Sequence, residues 1–172
     1  MKKVFPTILI LSLGLLAGCA IDLKHPLTAD EFRAGVPGAF MATVEKYQVS
    51  QPYDQVVARF KEMAPKCLDV TIKTTSQSMT SYQVIVTDYN PTVIVGENRT
   101  ELHVQQDFLQ GVMTVSEVPP GGYYLMVFDA TRIDGNTTQI EYYGPSRGFE
   151  TMVKAIKGWA SGGPVGCPDL TQ

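Results

Sequence analysis

The chain contains few of the residues that catalysis and metal binding use. Among its 172 residues are two histidines, His25 and His103, and three cysteines. The sequence has no histidine pair, no acidic calcium loop and no glycine-rich phosphate loop. His103 lies between Glu101 and Gln105 without a nearby nucleophile signature, so we expect a solvated strand histidine and not a general base. We therefore predict a non-enzyme without a metal site or cofactor.

Charge is also sparse. Charged residues make up 18% of the chain, and the formal net charge is −3. A mildly acidic protein of this kind lacks the basic surface that binds phosphate backbones. Nucleic acid is therefore excluded as an expected partner.

The chain lacks an apolar run long enough to span a membrane. Its longest run, from Val4 to Leu16, has about a dozen residues, whereas a spanning helix needs about 20. Lys2 and Lys3 precede this run, which is the pattern of an export signal.

The segment Leu16-Ala17-Gly18-Cys19 follows the apolar run and resembles the lipobox of bacterial lipoproteins. The resemblance implies a type II signal peptide, removal of residues 1–18, and lipidation of Cys19, with the bilayer as partner. Two or three acyl chains anchor firmly because each buried CH₂ contributes about 0.8 kcal/mol. The residue after Cys19 is Ala20, whereas an Asp at this position would favour retention in the inner membrane. We therefore expect the lipoprotein to lie in the outer membrane, on the periplasmic face of that membrane. An ordinary secretory signal with a chance cysteine is the alternative.

Apart from Cys19, the chain has two cysteines, Cys67 and Cys167. Because exported proteins meet an oxidising compartment, we predict a disulfide between them. Such a bond would close a loop of about 100 residues, worth up to about 4–5 kcal/mol in the loop-entropy account. A redox or nucleophilic pair is the alternative, although the two are not in a Cys-x-x-Cys arrangement and no histidine lies near either in sequence.

The rest of the chain divides into a tether and one domain. We assign residues 19–37 to a lipidated tether with a short helix, and residues 38–172 to a single domain. Thr28 and Glu31 are spaced as a capping box, and Gly35 and Pro37 end the turn or two of helix that follows. This helix is expected to be a spacer or a small clasp on the domain.

The sequence pattern of the domain predicts an α+β fold. Phe40–Val49 alternates like a strand, and an amphipathic helix follows from Pro52 until Pro65. Period-two segments come next and predict strands at Leu68–Thr74, Tyr82–Thr87, Thr92–Val95, Thr100–Gln105, Val112–Val118, Tyr123–Ile133 and Thr137–Tyr143. Ser146 is the expected N-cap of a closing helix of about 14 residues, which Gly162 ends.

Short turns between these strands predict an antiparallel meander packed by one N-terminal and one C-terminal helix. The order strand, helix, strands, helix resembles the helix-grip folds, including the lipid- and hormone-binding proteins of the Bet v 1 type. It also resembles the TATA-binding-protein-like arrangement. This resemblance is topological and implies a function by analogy alone.

Aromatic residues on the paired strands suggest one candidate binding site. An apolar pocket between sheet and closing helix would be lined by Tyr124, Met126, Phe128, Phe149 and Trp159. Ordinary cross-strand packing is the alternative interpretation. The leading functional hypothesis is thus a membrane-anchored, non-enzymatic interaction or accessory module with an envelope protein as partner. The alternative is a binding module for a lipid or other apolar small molecule.

Overall fold

A computed structural model describes residues 25–77, 82–110 and 117–171. The predicted signal peptide, lipobox and lipidated Cys19 lie outside these residues, as does most of the predicted strand Val112–Val118. None of the helices within the three described ranges has the length and apolar character needed to cross a membrane.

The predicted α+β class and the order strand, helix, strands, helix are confirmed. The helices are α1 (Ala29–Gly35), α2 (Tyr53–Leu68) and α3 (Glu150–Ala160). The strands are β1 (Ala42–Val49), β2 (Val70–Gln77), β3 (Tyr82–Val95), β4 (Arg99–Gln110), β5 (Tyr123–Arg132) and β6 (Thr138–Pro145).

The six strands form one antiparallel sheet in the order β1-β6-β5-β4-β3-β2. Strands β2 to β6 are a meander, as predicted, and β1 joins its far end by pairing with β6 from Ala42 opposite Pro145 to Val49 opposite Thr138. Helices α2 and α3 contact each other and cover one face, while α1 packs on β5 from the opposite face. The sheet therefore has an apolar α2/α3 face and an α1 face.

The core lies between the sheet and the α2/α3 layer. Alternate strand residues and the predicted apolar stripes of both helices meet there, and the largest fully buried side chains include Phe60, Leu102, Met126, Phe128, Ile140, Tyr142, Ile156 and Trp159. Burying a side chain of this size contributes about 1.5–3 kcal/mol, so this layer carries most of the stabilisation.

The prediction that Pro65 ends the second helix is wrong. Helix α2 continues to Leu68, and the next strand begins at Val70. Proline lacks the N–H that would bond to the preceding turn. The last turn persists because Cys67 and Leu68 are buried in the core.

Two predicted strands, Tyr82–Thr87 and Thr92–Val95, are parts of one strand, β3. Pairing of β3 with β2 stops at Tyr89, so Pro91 lies in a segment that has passed the end of β2. Proline is tolerated in such edge segments.

The closing helix also begins later than predicted. Ser146 is not its N-cap: that position is held by Phe149, three residues later, and the backbone N–H of Ser146 donates to the carbonyl of Met41 at 2.8 Å. Gly148 has a left-handed φ of 87°, and its N–H donates to the Glu150 carboxylate at 3.0 Å. Helix α3 therefore has 11 residues, with Phe149 at the N-cap position.

Strand β1 begins at Ala42, two residues later than predicted. The Ala42 N–H donates to the Ala39 carbonyl at 3.3 Å, which closes a turn with Phe40 and Met41 at its two central positions. Met41 has a φ of 57°, a conformation that costs a residue with a side chain roughly 1–2 kcal/mol.

Candidate functional site

Three of the five predicted pocket residues meet in the core. Met126 and Phe128 are fully buried on β5, and Trp159 of α3 belongs to the same cluster at 1% exposure. Phe149 is partly buried at the edge of this cluster. Tyr124 is not brought together with them.

A β-bulge separates Tyr124 from the other four. Val104 of β4 pairs with Met126 and Gln105 pairs with Tyr124, so Leu125 is an extra residue on β5. Leu125 turns into the core, and Tyr124 lies on the α1 face, with ring centroids 5.8 Å from Phe32 and 5.6 Å from His103. Strict alternation along β5 therefore fails before Met126.

Helix α1 is capped much as the sequence predicts. The Glu31 N–H donates to Thr28 Oγ1 at 3.2 Å, and the Glu31 carboxylate accepts the N–H of Leu27, not of Thr28, at 2.8 Å. The fixed start orients the helix so that Phe32 and Arg33 lie against the sheet. Of the two roles expected for this helix, spacer or small clasp on the domain, the structure shows the second, because α1 packs on the sheet.

Arg33 fastens α1 to the sheet. Its Nε donates to Asp129 Oδ2 at 2.9 Å and its Nη2 to Asp129 Oδ1 at 2.7 Å, a bidentate pair. Nη2 also donates to Glu101, and Arg99 donates to Asp129 Oδ2 at 2.9 Å. The Arg33 and Asp129 side chains are 10% and 5% exposed, so the pair is withdrawn from water.

His103 completes this group, and the expectation of a solvated histidine is wrong. The His103 side chain is 6% exposed, and its Nε2 lies 2.8 Å from Glu101 Oε2. The reason is that α1 covers the polar face of β4 and β5. We call Arg33, Arg99, Glu101, His103 and Asp129 the clasp cluster.

A histidine–carboxylate pair activates a nucleophile when the carboxylate orients the ring and the other ring nitrogen reaches that nucleophile. Here Glu101 Oε2 accepts from both Arg33 and His103, and Arg99 lies 3.4 Å from Oε1. Both carboxylate oxygens thus serve the ionic network that holds α1. The arrangement fits a structural role.

Burial and pairing act in opposite directions on the two acids of the clasp cluster. Burial raises the pKa of the Asp129 carboxyl and outweighs the hydrogen bonds from Arg33. Burial also acts to raise the pKa of Glu101, but hydrogen bonds from Arg33 and His103 outweigh it and lower that pKa. Arg33, desolvated yet bonded to both acids, has a raised pKa and stays charged.

Sequence reasoning missed Arg33, Glu101 and Asp129 as a group. One available signal was Asp129, a lone acid in the middle of the apolar strand Tyr123–Arg132. A carboxylate at such a position requires a buried cation partner. The identity of that partner, 96 positions away in α1, is a tertiary fact.

The predicted disulfide joins Cys67 at the end of α2 to Cys167 in the C-terminal tail, with Cα atoms 4.9 Å apart. The indole N–H of Trp159 donates to the Gly166 carbonyl at 3.2 Å, next to Cys167. The tail is thereby fixed against both α2 and α3. The two cysteines are therefore bonded in the structure, as predicted.

Two clefts flank Phe149 at the start of α3. The first has a volume of about 310 Å³, and its lining includes Tyr142, Val153 and the basic residues Arg147, Lys154 and Lys157. The second has a volume of about 380 Å³, and its lining includes Tyr89, Met152 and Leu170 together with Phe149. Phe149 is the predicted pocket residue that lines both clefts, whereas Trp159 lines a small cavity of about 70 Å³.

No group of three metal-ligating side chains is positioned to hold a metal ion within residues 25–77, 82–110 and 117–171. The described residues do form an ionic cluster that holds α1, a disulfide and two clefts at Phe149.

No protein-family model and no curated protein matches the sequence. Two solved structures are similar to it at low TM-scores. One is the hypothetical protein jhp0584 from Helicobacter pylori, with a TM-score of 0.35 and 8% identity over 76% of this chain and 89% of that one. The other is norcoclaurine synthase from Thalictrum flavum in complex with dopamine and hydroxybenzaldehyde, with a TM-score of 0.26 and 11% identity over 70% of this chain and 83% of that one. Both likenesses are too distant to indicate a function for this chain.

Proposed function

We propose that the protein is a lipid-anchored envelope lipoprotein that acts as a non-enzymatic interaction or accessory module. The lipobox-like segment Leu16–Cys19 supplies the anchor, and the outer membrane is the proposed location because Ala20 follows the cysteine. The Cys67–Cys167 disulfide supports export, since such bonds persist in oxidising compartments.

The observation that carries this proposal is the fixed connection between the tether and the sheet. Helix α1 begins at Ala29, ten residues after Cys19, and a stretch of that length reaches at most about 33–36 Å. Arg33 then fixes α1 to Asp129 in the middle of β5. An anchored chain so connected presents its domain in a restricted orientation, with the α2/α3 face turned away from α1.

Labelled palmitate tests the anchor. Wild-type protein should incorporate the label and fractionate with the outer membrane, whereas Cys19→Ser should lose both properties. Incorporation of palmitate by Cys19→Ser would contradict the proposal. A light-activated crosslinker at exposed Lys61 of α2 should then give a discrete adduct with an envelope protein in wild-type cells, and not in cells expressing Cys19→Ser.

The second candidate function, binding of an apolar small molecule, is supported by the two clefts at Phe149. Their volumes lie at the small end of the 300–1,000 Å³ that ligand pockets usually occupy. Saturable binding of an apolar dye that Phe149→Ala weakens would favour this candidate. Tyr82→Ala, a change at an exposed aromatic residue of β3, is the control.

A further inference from the structure

The turn before β1 exposes the most solvent-accessible large apolar side chain among the described residues. Phe40 is 91% exposed at the first central position of the Ala39–Ala42 turn, and Met41 is 42% exposed at the second. Val44, two residues into β1 beyond Ala42, is 43% exposed. These three residues, here called the apolar corner, leave hydrophobic surface in water at one edge of the sheet.

Hydrogen bonds fix the backbone of the apolar corner. The Met41 carbonyl accepts the Ser146 N–H at 2.8 Å, and Ala42 closes the turn onto Ala39. Met41 occupies a left-handed position at which such turns normally use glycine. Strain of this kind persists where the surrounding structure imposes it and is concentrated at functional positions.

The tether reaches the domain at the same end of the sheet. The His25 ring lies 4.7 Å from the ring of Tyr123, the first residue of β5. That end of β5 is beside the end of β6 at Pro145, which pairs with Ala42. Strand β5 is two strands from β1, or about 10 Å sideways. His25 is six residues after Cys19, so the extended chain places Cys19 within about 20 Å of this end.

A basic side chain accompanies the apolar corner. Arg147 follows Ser146, which bonds directly to Met41, and Arg147 is exposed. Arg147 makes no ion pair within the part of the chain that the structure describes. The charge of Arg147 also acts on the exposed carboxylate of Glu150. Apolar side chains next to an exposed cation match the interface of a membrane that carries anionic headgroups.

We propose that the apolar corner inserts Phe40 and Met41 into the surface of the bilayer that holds the acyl chains of Cys19. The inference rests on the proposed lipid anchor and goes beyond it. The anchor alone fixes one point, whereas a second contact at Phe40 fixes which end of the sheet meets the membrane. The opposite end, with the β5–β6 hairpin at Ile133, then points away from it.

The test uses the acylated full chain in vesicles of phosphatidylethanolamine and phosphatidylglycerol. In the variant Phe40→Cys, position 40 carries the free thiol, because Cys67 and Cys167 are bonded and Cys19 carries lipid. An environment-sensitive fluorophore is attached there and quenched with lipids that bear nitroxides in their acyl chains. Ile133→Cys, at an exposed apolar residue of the opposite end, is the matched control.

Nitroxide lipids should reduce the emission at position 40 about twofold and leave that at position 133 nearly unchanged. A second variant, Phe40→Asp, should acylate and fold normally but transfer to acceptor vesicles about tenfold faster. Unquenched emission at position 40 in acylated protein would overturn the insertion proposal and leave the anchor intact. Blue-shifted but unquenched emission would instead indicate contact with a second copy of the chain and would also overturn it. Absence of the acyl label would refute the anchor itself, and the insertion with it.

Discussion

Arg33 of α1 and Asp129 of β5, which are 96 positions apart in sequence, face each other through two parallel hydrogen bonds of 2.9 and 2.7 Å. The pair is buried on the sheet face opposite the hydrophobic core. It is the link through which a short helix after the tether becomes part of the folded body.

Removing the Arg33 cation alone should destabilise the protein more than removing the charges of both Arg33 and Asp129. Arg33→Ala leaves Asp129 buried with Arg99 as its remaining arginine, and we expect a loss of about 3 kcal/mol in the free energy of unfolding. Chemical unfolding measures this change. Arg59→Ala, at an exposed arginine of α2, should cost less than about 0.5 kcal/mol.

The double variant Arg33→Ala/Asp129→Ala measures how much the interaction between the two side chains contributes, apart from what each side chain contributes alone. It should lose less than the sum of the two single losses, because it buries no unpaired charge. Strictly additive losses would show that the two side chains do not stabilise the fold as a pair.

The stability supplied by Glu101 should depend on pH. The pKa of Glu101 in the folded protein lies below its ordinary value of 4.5, so its stabilisation is present above that value and lost as pH falls through the folded pKa. The difference in unfolding free energy between wild type and Glu101→Gln should therefore be largest near neutral pH and shrink in acid. Glu62→Gln, on the exposed side of α2, is the control, and a pH-independent difference for Glu101→Gln would contradict the assignment.

Trp159→Ala distinguishes a filled core from a roofed pocket. Because Trp159 is 1% exposed and also bonds to Gly166, truncation should cost about 3–5 kcal/mol. Lys154→Ala, on the outer side of α3, should cost little. A small loss for Trp159→Ala together with strong saturable binding of an apolar dye to wild type would favour the ligand-binding function instead.

Loss of the disulfide should weaken the fold without changing its topology. The bond closes a loop with a sequence separation of 100, for which the loop-entropy account gives up to about 4–5 kcal/mol. Cys67→Ala/Cys167→Ala should show this loss in chemical unfolding, and reductant should then have no further effect on it. Mature wild-type protein unfolded without reductant should contain no alkylatable thiol, and two such thiols would contradict the bond.

The fold class, the meander and both apolar helix stripes could be read from the sequence because each depends on local periodicity. The apolar stripe at Tyr53, Val56, Val57 and Phe60 has a period of 3.6, and the stripe is buried. The disulfide could be inferred because the proposed lipid anchor would account for the third cysteine, Cys19. The ends of the helices were less predictable. Helix α2 continues past Pro65 because the neighbouring residues are buried, and the backbone N–H of Ser146, the predicted N-cap of α3, bonds to the Met41 carbonyl.

The candidate site was less predictable because it depends on contacts between distant elements. The bulge at Leu125 moves Tyr124 to the other face, and no local pattern around it indicates an extra residue. His103 looked exposed because alternation assigns a face of the strand, and the helix that covers that face lies 70 residues earlier. A face that reads as polar can still be buried when a short charged helix packs on it.

The connectivity of the N-terminal part also sets the order in which the chain can be completed. Strand β1 has β6 as its partner, α1 is fastened at Asp129, and Cys67 bonds Cys167. Hairpins β2–β3 and β3–β4 join strands that are consecutive in sequence and can form early, whereas these three contacts wait for the last third of the chain. In a chain delivered N-terminus first, the segment that contains α1 and β1 arrives first and completes its contacts last. Until β6 and the tail emerge, β1 is an unpaired strand beside the exposed Phe40, which makes that interval the period when assistance against aggregation matters most.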